Sequence, residues 1–109
     1  MTKPCERIRL LNDQLRRDFR TGQVVITRGI AELGEDAVAL IIKEIATYDN
    51  FDEGSDPHAE HDFGVLEAKG HRVFFKIDYY DVALAMHSPD PSDPAVTKRV
   101  LTIMLSKEY

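Results

Sequence analysis

The chain has 109 residues, of which 43% are hydrophobic, and it carries a formal net charge of −5. This length suits one domain spanning residues 1–109, and the single cysteine, Cys5, excludes an intrachain disulfide. No stretch approaches the ~20 apolar residues of a membrane span, and no apolar run typical of a signal peptide opens the chain. We therefore expect a soluble, cytoplasmic protein without a membrane partner.

The charge is distributed unevenly along the chain. Residues 1–28 contain seven Lys or Arg and three acidic residues, which gives a local net charge of +4. Residues 29–109 contain seven Lys or Arg and sixteen acidic residues, which gives a net charge of −9. The acidic majority argues against a nucleic-acid partner for the surface as a whole. The basic part is suited to nucleic acid or to an acidic partner, but the simpler interpretation is that it pairs with the acidic part of the same chain.

The first half of the chain shows two helical patterns with a short strand between them. Segment 8–19 places apolar side chains at spacings of three and four, which predicts an amphipathic helix. The β-branched run at residues 23–27 predicts a strand. Residues 35–48 predict a second helix, with acidic side chains in its first turn. The residues that this helix should present to a core are Val38, Ile41, Ile42 and Ile45.

The second half begins with a long polar loop and then predicts a hairpin. Asp, Asn, Gly, Ser and Pro dominate residues 49–61, which is typical of turns. Residues 62–68 and 72–80 are strand-like, and Lys69-Gly70 between them suits a tight turn. We expect the two strands to pair antiparallel across that turn.

The rest of the chain predicts a third antiparallel strand over Val82–Met86 and a closing helix. Asp93 followed by Pro94 is typical of a helix start. The closing helix should bury Val96, Val100, Leu101, Met104 and Leu105. The predicted fold class is α+β, in the order α-β-α-β-β-β-α, with helices packed on one face of a small, mostly antiparallel sheet. These patterns leave the strand order open.

The hairpin register predicts a site at the open end of the two strands. With Lys69-Gly70 as the turn, opposed residue numbers sum to 139, so Glu67 faces Arg72 as an opposite-charge pair. The same register continued outward would place His61 beside Asp78. Because an imidazole next to a carboxylate can act as a general base, His61 and Asp78 are the candidate catalytic residues.

The same end of the hairpin is rich in carboxylates, which raises the question of a metal. Asp62, Asp78 and Asp81 are weak candidate ligands for Mg²⁺ or Mn²⁺. The string HAEH, from His58 to His61, lacks the spacing and the helix of the HExxH zinc motif. Acidic clusters in such loops more often cap turns, so we expect neither a metal nor another cofactor.

Four strings resemble an uncharacterised bacterial family, a domain of unknown function: EHDFG, VFFKIDYYD, SPDPSDPAVTKRVLTIML and the terminal EY. The resemblance runs from about Ile8 to Tyr109 and includes RVLTIML as the C-terminal helix. It implies a small bacterial protein, associated with plasmids or prophages, and it implies no established activity, cofactor or catalytic residue.

We therefore expect a small acidic interaction or regulatory protein that binds another macromolecule, most simply a protein. Its small size, its uneven charge and the paired tyrosines near the end of the hairpin support this hypothesis. The candidate binding residues are Asp62, Tyr80 and Asp81. Oligomeric state is left open.

Two alternatives come from other functional classes. The first is a small metal-dependent hydrolase in which His61 acts as base or ligand and Asp78 orients it. The second is nucleic-acid binding through the basic first helix, where Arg16, Arg17 and Arg20 would contact phosphates.

Overall fold

The computed structural model of the protein describes residues 3–109 and contains a four-stranded mixed sheet with the helices on one face. In chain order the elements are α1 (Pro4–Asp18), β1 (Gln23–Ile26), α2 (Arg28–Ala31), α3 (Glu35–Ala46), β2 (Phe63–Ala68), β3 (His71–Tyr80), β4 (Lys98–Leu105) and a 3-10 turn (Ser106–Glu108). The strand order is β1-β4-β3-β2, with β1 and β4 parallel and the other pairs antiparallel. This confirms the predicted α+β class.

The core lies between the helices and one face of the sheet. Successive side chains of a strand point to opposite faces, and in β3 and β4 alternate residues are buried toward the helices. The fully buried apolar side chains of this core are Leu15, Ile30, Ile41, Ile45, Val73, Phe75, Leu101 and Ile103. None of the helices among residues 3–109 is both long and apolar enough to cross a membrane.

The predicted closing helix is wrong, because residues 98–105 form β4. This strand lies between β1 and β3 and contributes alternate residues to the core. A continuous apolar run fits either a buried strand or a buried helix, and periodicity alone cannot separate them. The Asp93 carboxylate accepts a hydrogen bond from the Ala95 N–H at 2.9 Å, so it caps a turn and not a helix.

The predicted strand at Val82–Met86 is also wrong. That segment is a turn, and the antiparallel neighbour of β3 on this side is β4. Beyond β3 the chain forms one further bridge, between Tyr80 and His87. The connection after β1 contains the short helix α2.

The hairpin register is confirmed. Glu67 pairs with Arg72 and Gly64 with Phe75, and a side chain at Gly64 would collide with the Phe75 ring. The ladder ends at the pair of Phe63 and Lys76, because β2 begins at Phe63. The Ile77 N–H still donates to the Asp62 oxygen at 2.8 Å, so the chain leaves the register that predicted the site at His61.

Candidate functional site

His61 lies beside Asp13 of α1, and the structure does not bring it together with Asp78. A φ of 58° at His61 turns the chain away from β3 before β2 begins. Its Nδ1 lies 2.9 Å from Asp13 Oδ1, and its Nε2 lies 3.9 Å from Asp56 Oδ2. The imidazole also stacks on the Phe51 ring, with centroids 3.9 Å apart.

Asp13 is held by a second basic group, Arg16, one helical turn further along α1. The Arg16 guanidinium donates to the Asp13 carboxylate and to the main-chain oxygens of Ile45 and Tyr48, at 2.9 and 3.1 Å. Burial would raise the pKa of Asp13, but hydrogen bonds from Arg16 and His61 outweigh it and lower that pKa below its usual value. Arg16 is buried, so it is not available for the phosphate contacts that the nucleic-acid alternative required.

A second buried network lies nearby, around Asn12. The Asn12 amide donates to the Tyr79 hydroxyl at 2.8 Å and to the Glu60 main-chain oxygen at 3.0 Å. Tyr79 donates to the Glu60 carboxylate at 2.9 Å, and the Arg99 Nε donates to the Asn12 Oδ1 at 3.0 Å. Burial strongly raises the pKa of Tyr79, which keeps its hydroxyl protonated, and burial lowers the pKa of Arg99.

These two networks form what we call the polar cluster: Asn12, Asp13, Arg16, Glu60, His61, Tyr79 and Arg99. Within residues 3–109, the only buried side-chain nitrogen or oxygen without a hydrogen-bond partner is the Arg16 Nε. Whichever tautomer His61 adopts, its two ring nitrogens face carboxylates of the same chain. The polar cluster therefore joins α1 to the loop before β2 and to the sheet.

Asp62, Asp78 and Tyr80 line one groove along the C-terminal half of β3. This groove has a volume of about 300 Å³ and also includes His87. Burial, followed by the nearby charge of Glu60, raises the pKa of Asp62. Asp78 forms an ion pair with Lys76 at 3.0 Å, and the hydrogen bond from Lys76 to Asp78 is the main reason that the pKa of Lys76 is raised.

Asp81 organises the turn that follows β3. Its Oδ1 accepts hydrogen bonds from the N–H groups of Ala85 and Met86, at 3.0 and 3.4 Å. Its own N–H donates to the Met86 oxygen, and the Leu84 N–H donates to the Asp81 oxygen, both at 2.9 Å. The Asp81 carboxylate is thus used inside the turn, and no group of three or more His, Cys, Asp or Glu residues within 3–109 is placed to hold a metal ion.

The turn displays three large apolar side chains to solvent. Val82 is 61% exposed, Leu84 is 48% exposed and Met86 is 72% exposed. Leu84 also has a φ of 57°, in the left-handed region that residues other than glycine rarely adopt. We call residues 82–86 the apolar loop. An exposed apolar patch is informative, whereas a single exposed leucine is not.

Sequence reasoning missed both the polar cluster and the apolar loop. A signal for the first was present, since Asn12 and Arg16 follow Ile8 at intervals of four and therefore lie on the buried face of α1. For the second, the alternation of Val82, Leu84 and Met86 indicated a strand with one apolar face. The carboxylate that folds this segment into a turn was assigned to binding instead.

The fold and its surface define an α+β domain that buries a polar cluster behind α1 and exposes an apolar loop at one end of its sheet. The chain belongs to the family described as Protein of unknown function (DUF3768), whose model matches residues 26–108. This confirms the predicted membership of a family of unknown function. Helix α1 lies outside the matched range, although it supplies Asn12, Asp13 and Arg16. No curated protein and no solved structure matches the chain.

Proposed function

We propose that the protein is an interaction module that binds another protein through the apolar loop. The observation that carries this proposal is the exposure of Val82, Leu84 and Met86 together on one short turn. The buried centre of a protein interface is more apolar than its rim, and methionine is enriched there. The regulatory role and the cytoplasmic location expected from the sequence are part of the same proposal.

Hydrogen bonds within the chain order the loop without a partner. Its base is closed by the Ser88 N–H, which donates to the Tyr79 oxygen at 3.0 Å, and its interior by the hydrogen bonds to Asp81. A surface that is already ordered loses less conformational entropy on binding. Tyr80, which is 36% exposed and pairs with His87 at the base, adds an aromatic side chain suited to an interface rim.

The backbone at Leu84 supports the proposal independently of exposure. Glycine or asparagine would adopt a φ of 57° at lower cost, and a polar side chain would suit an exposed position better. In the absence of a partner, both the backbone conformation and the exposure of position 84 disfavour leucine. Residues held in such conformations are concentrated at functional sites, so a binding role accounts for a leucine that stability does not.

A photocrosslinking experiment tests this function. A photoreactive phenylalanine analogue replaces Val82 in the full-length chain, which is expressed in its source cells and irradiated. We expect one discrete covalent adduct with another protein, and we expect Leu84→Asp in the same chain to abolish it. The matched control is Leu10→Asp, because Leu10 is also 61% exposed but lies alone on α1.

The pattern of crosslinked adducts and its response to the two substitutions can each contradict the proposal. A diffuse set of adducts, or none, would show that the loop does not meet a specific partner. An adduct that persists in Leu84→Asp, or that Leu10→Asp removes equally, would show that the apolar loop is not the contact surface. Far-ultraviolet circular dichroism of the purified variants establishes that both remain folded.

A further inference from the structure

A groove of about 580 Å³ lies directly beside the apolar loop, at the end of the sheet where β1 and β4 begin. Val82 and Leu84 from the loop line one part of it, and Pro94 and Ala95 line another. The anchor side chains of the proposed interface are therefore continuous with a concave surface. Whatever binds the loop also meets the groove.

The groove is positively charged, unlike most of the chain. Arg20, Lys98 and Arg99 line it, and no acidic residue does. The Arg99 guanidinium is engaged with Asn12 and with the Pro91 oxygen, whereas Arg20 and Lys98 are exposed. Within residues 3–109, neither of these two side chains forms an ion pair. Two exposed cations and one buried cation therefore face an opening without a counter-charge.

This rests on the function proposed above: we propose that the partner segment occupying the groove is an acidic peptide with apolar side chains. Its carboxylates would pair with Arg20 and Lys98, and its apolar side chains would cover Val82 and Leu84. Opposite charges at the rim of an interface fix orientation and raise the association rate. The rest of the chain, which carries a net charge of −8 when Arg20, Lys98 and Arg99 are set aside from the total of −5, repels such a peptide and confines it to the groove.

The chemistry of the groove favours a protein over a nucleic acid. Its lining contains no aromatic side chain, whereas surfaces that bind single strands combine a basic track with aromatic side chains on which bases stack. Two exposed cations also neutralise few phosphates, and the affinity of nucleic-acid binding increases with that number. An acidic peptide needs only two charge partners and an apolar contact.

Selection from a displayed library of random peptides tests the proposal, because it requires no candidate partner. The library is panned on the immobilised full-length chain, and clones are kept if Leu84→Ser, which adds no charge beside the groove, abolishes their binding. We expect the sequences of these clones to be enriched in Asp and Glu. We also expect the double variant Arg20→Glu with Lys98→Glu to weaken them at least about tenfold, since like charges across a rim oppose binding.

The control double variant is Lys69→Glu with Lys107→Glu, at the opposite end of the sheet. Both double variants change four units of charge, from −5 to −9, so they share the same net charge. We expect the control to keep binding within about twofold, because screening weakens charge effects beyond about 10 Å. If the two double variants lost peptide affinity equally, the charges of the groove would not be the cause, and the inference would be overturned.

The outcomes separate this inference from the function on which it rests. Clones that depend on Leu84 but lack acidic enrichment would overturn the acidic partner and leave the interaction module standing. The absence of any clone that depends on Leu84 would count against the interaction module itself. A single-stranded DNA oligonucleotide that binds, and that loses binding in the Arg20 and Lys98 double variant, would overturn the choice of a protein partner.

Discussion

The polar cluster and the apolar loop reverse the usual distribution of side chains in a small domain. Asn12 and Arg99 are almost fully buried, whereas Leu84 and Met86 are exposed. The two regions nevertheless differ in whether the chain itself accounts for them. Apart from the Arg16 Nε, the buried side-chain polar atoms of the polar cluster find hydrogen-bond partners within the fold, which is what burial demands. The apolar side chains of Leu84 and Met86 are not covered by the rest of the described chain. This difference is why we place the proposed binding surface at the apolar loop and not at His61.

The largest expected effect is in the polar cluster, with Arg16→Ala. This change leaves the Asp13 carboxylate partly buried without its arginine and removes the donor to two main-chain oxygens. We expect the free energy of unfolding to fall by about 3–5 kcal/mol, as measured by urea denaturation. The neighbouring Arg17→Ala is the control, because Arg17 is exposed and such changes cost within about 0.5 kcal/mol. Equal losses in the two variants would show that Arg16 does not hold the cluster together.

An intermediate effect is expected in the pH dependence of stability. Because the pKa of Asp13 is lowered in the fold, its ionised form stabilises the protein above the unfolded pKa, near 3.8. That contribution is lost as the pH falls through the folded value. Asp13→Asn should therefore destabilise the protein at neutral pH, and the difference from the unmodified chain should shrink in acid. Thermal unfolding of both proteins at a series of pH values measures this difference in stability. A difference that stays the same at every pH would mean that the charge of Asp13 contributes nothing to stability.

The smallest effect, and the sharpest for the comparison, is expected for Leu84→Asn in the apolar loop. Asparagine tolerates the left-handed backbone better than leucine, so we expect the free energy of unfolding to rise by about 0.5–1 kcal/mol. The photocrosslinked adduct should decrease in the same variant. Leu10→Asn is the control and should lower stability by a few tenths of a kcal/mol, because asparagine is a poorer helix former. A loss of stability in Leu84→Asn would remove the backbone argument for function.

Local patterns predicted the elements whose partners are close in sequence. The periodicity of α1 and α3 and the charge pair of Glu67 with Arg72 were sufficient for two helices and a hairpin register. The position of β4 was beyond such reasoning, because its pairing with β1 and β3 depends on distant segments. The prediction that His61 lies beside Asp78 was wrong for a local reason. The hairpin register does not continue to His61, because the left-handed backbone of His61 directs its side chain toward Asp13.

The central position of β4 also constrains how the chain folds. Gln23 of β1 pairs with Val100 of β4, and no other strand flanks β1 among residues 3–109. During synthesis β1 therefore remains without its neighbour until nearly all of the described chain has been made. Contacts between such distant segments slow folding, and unpaired strands promote aggregation while they wait. The two middle strands, β3 and β4, are joined by residues 81–97, which include the apolar loop. Any change in the loop therefore lies within the connection that brings the centre of the sheet together.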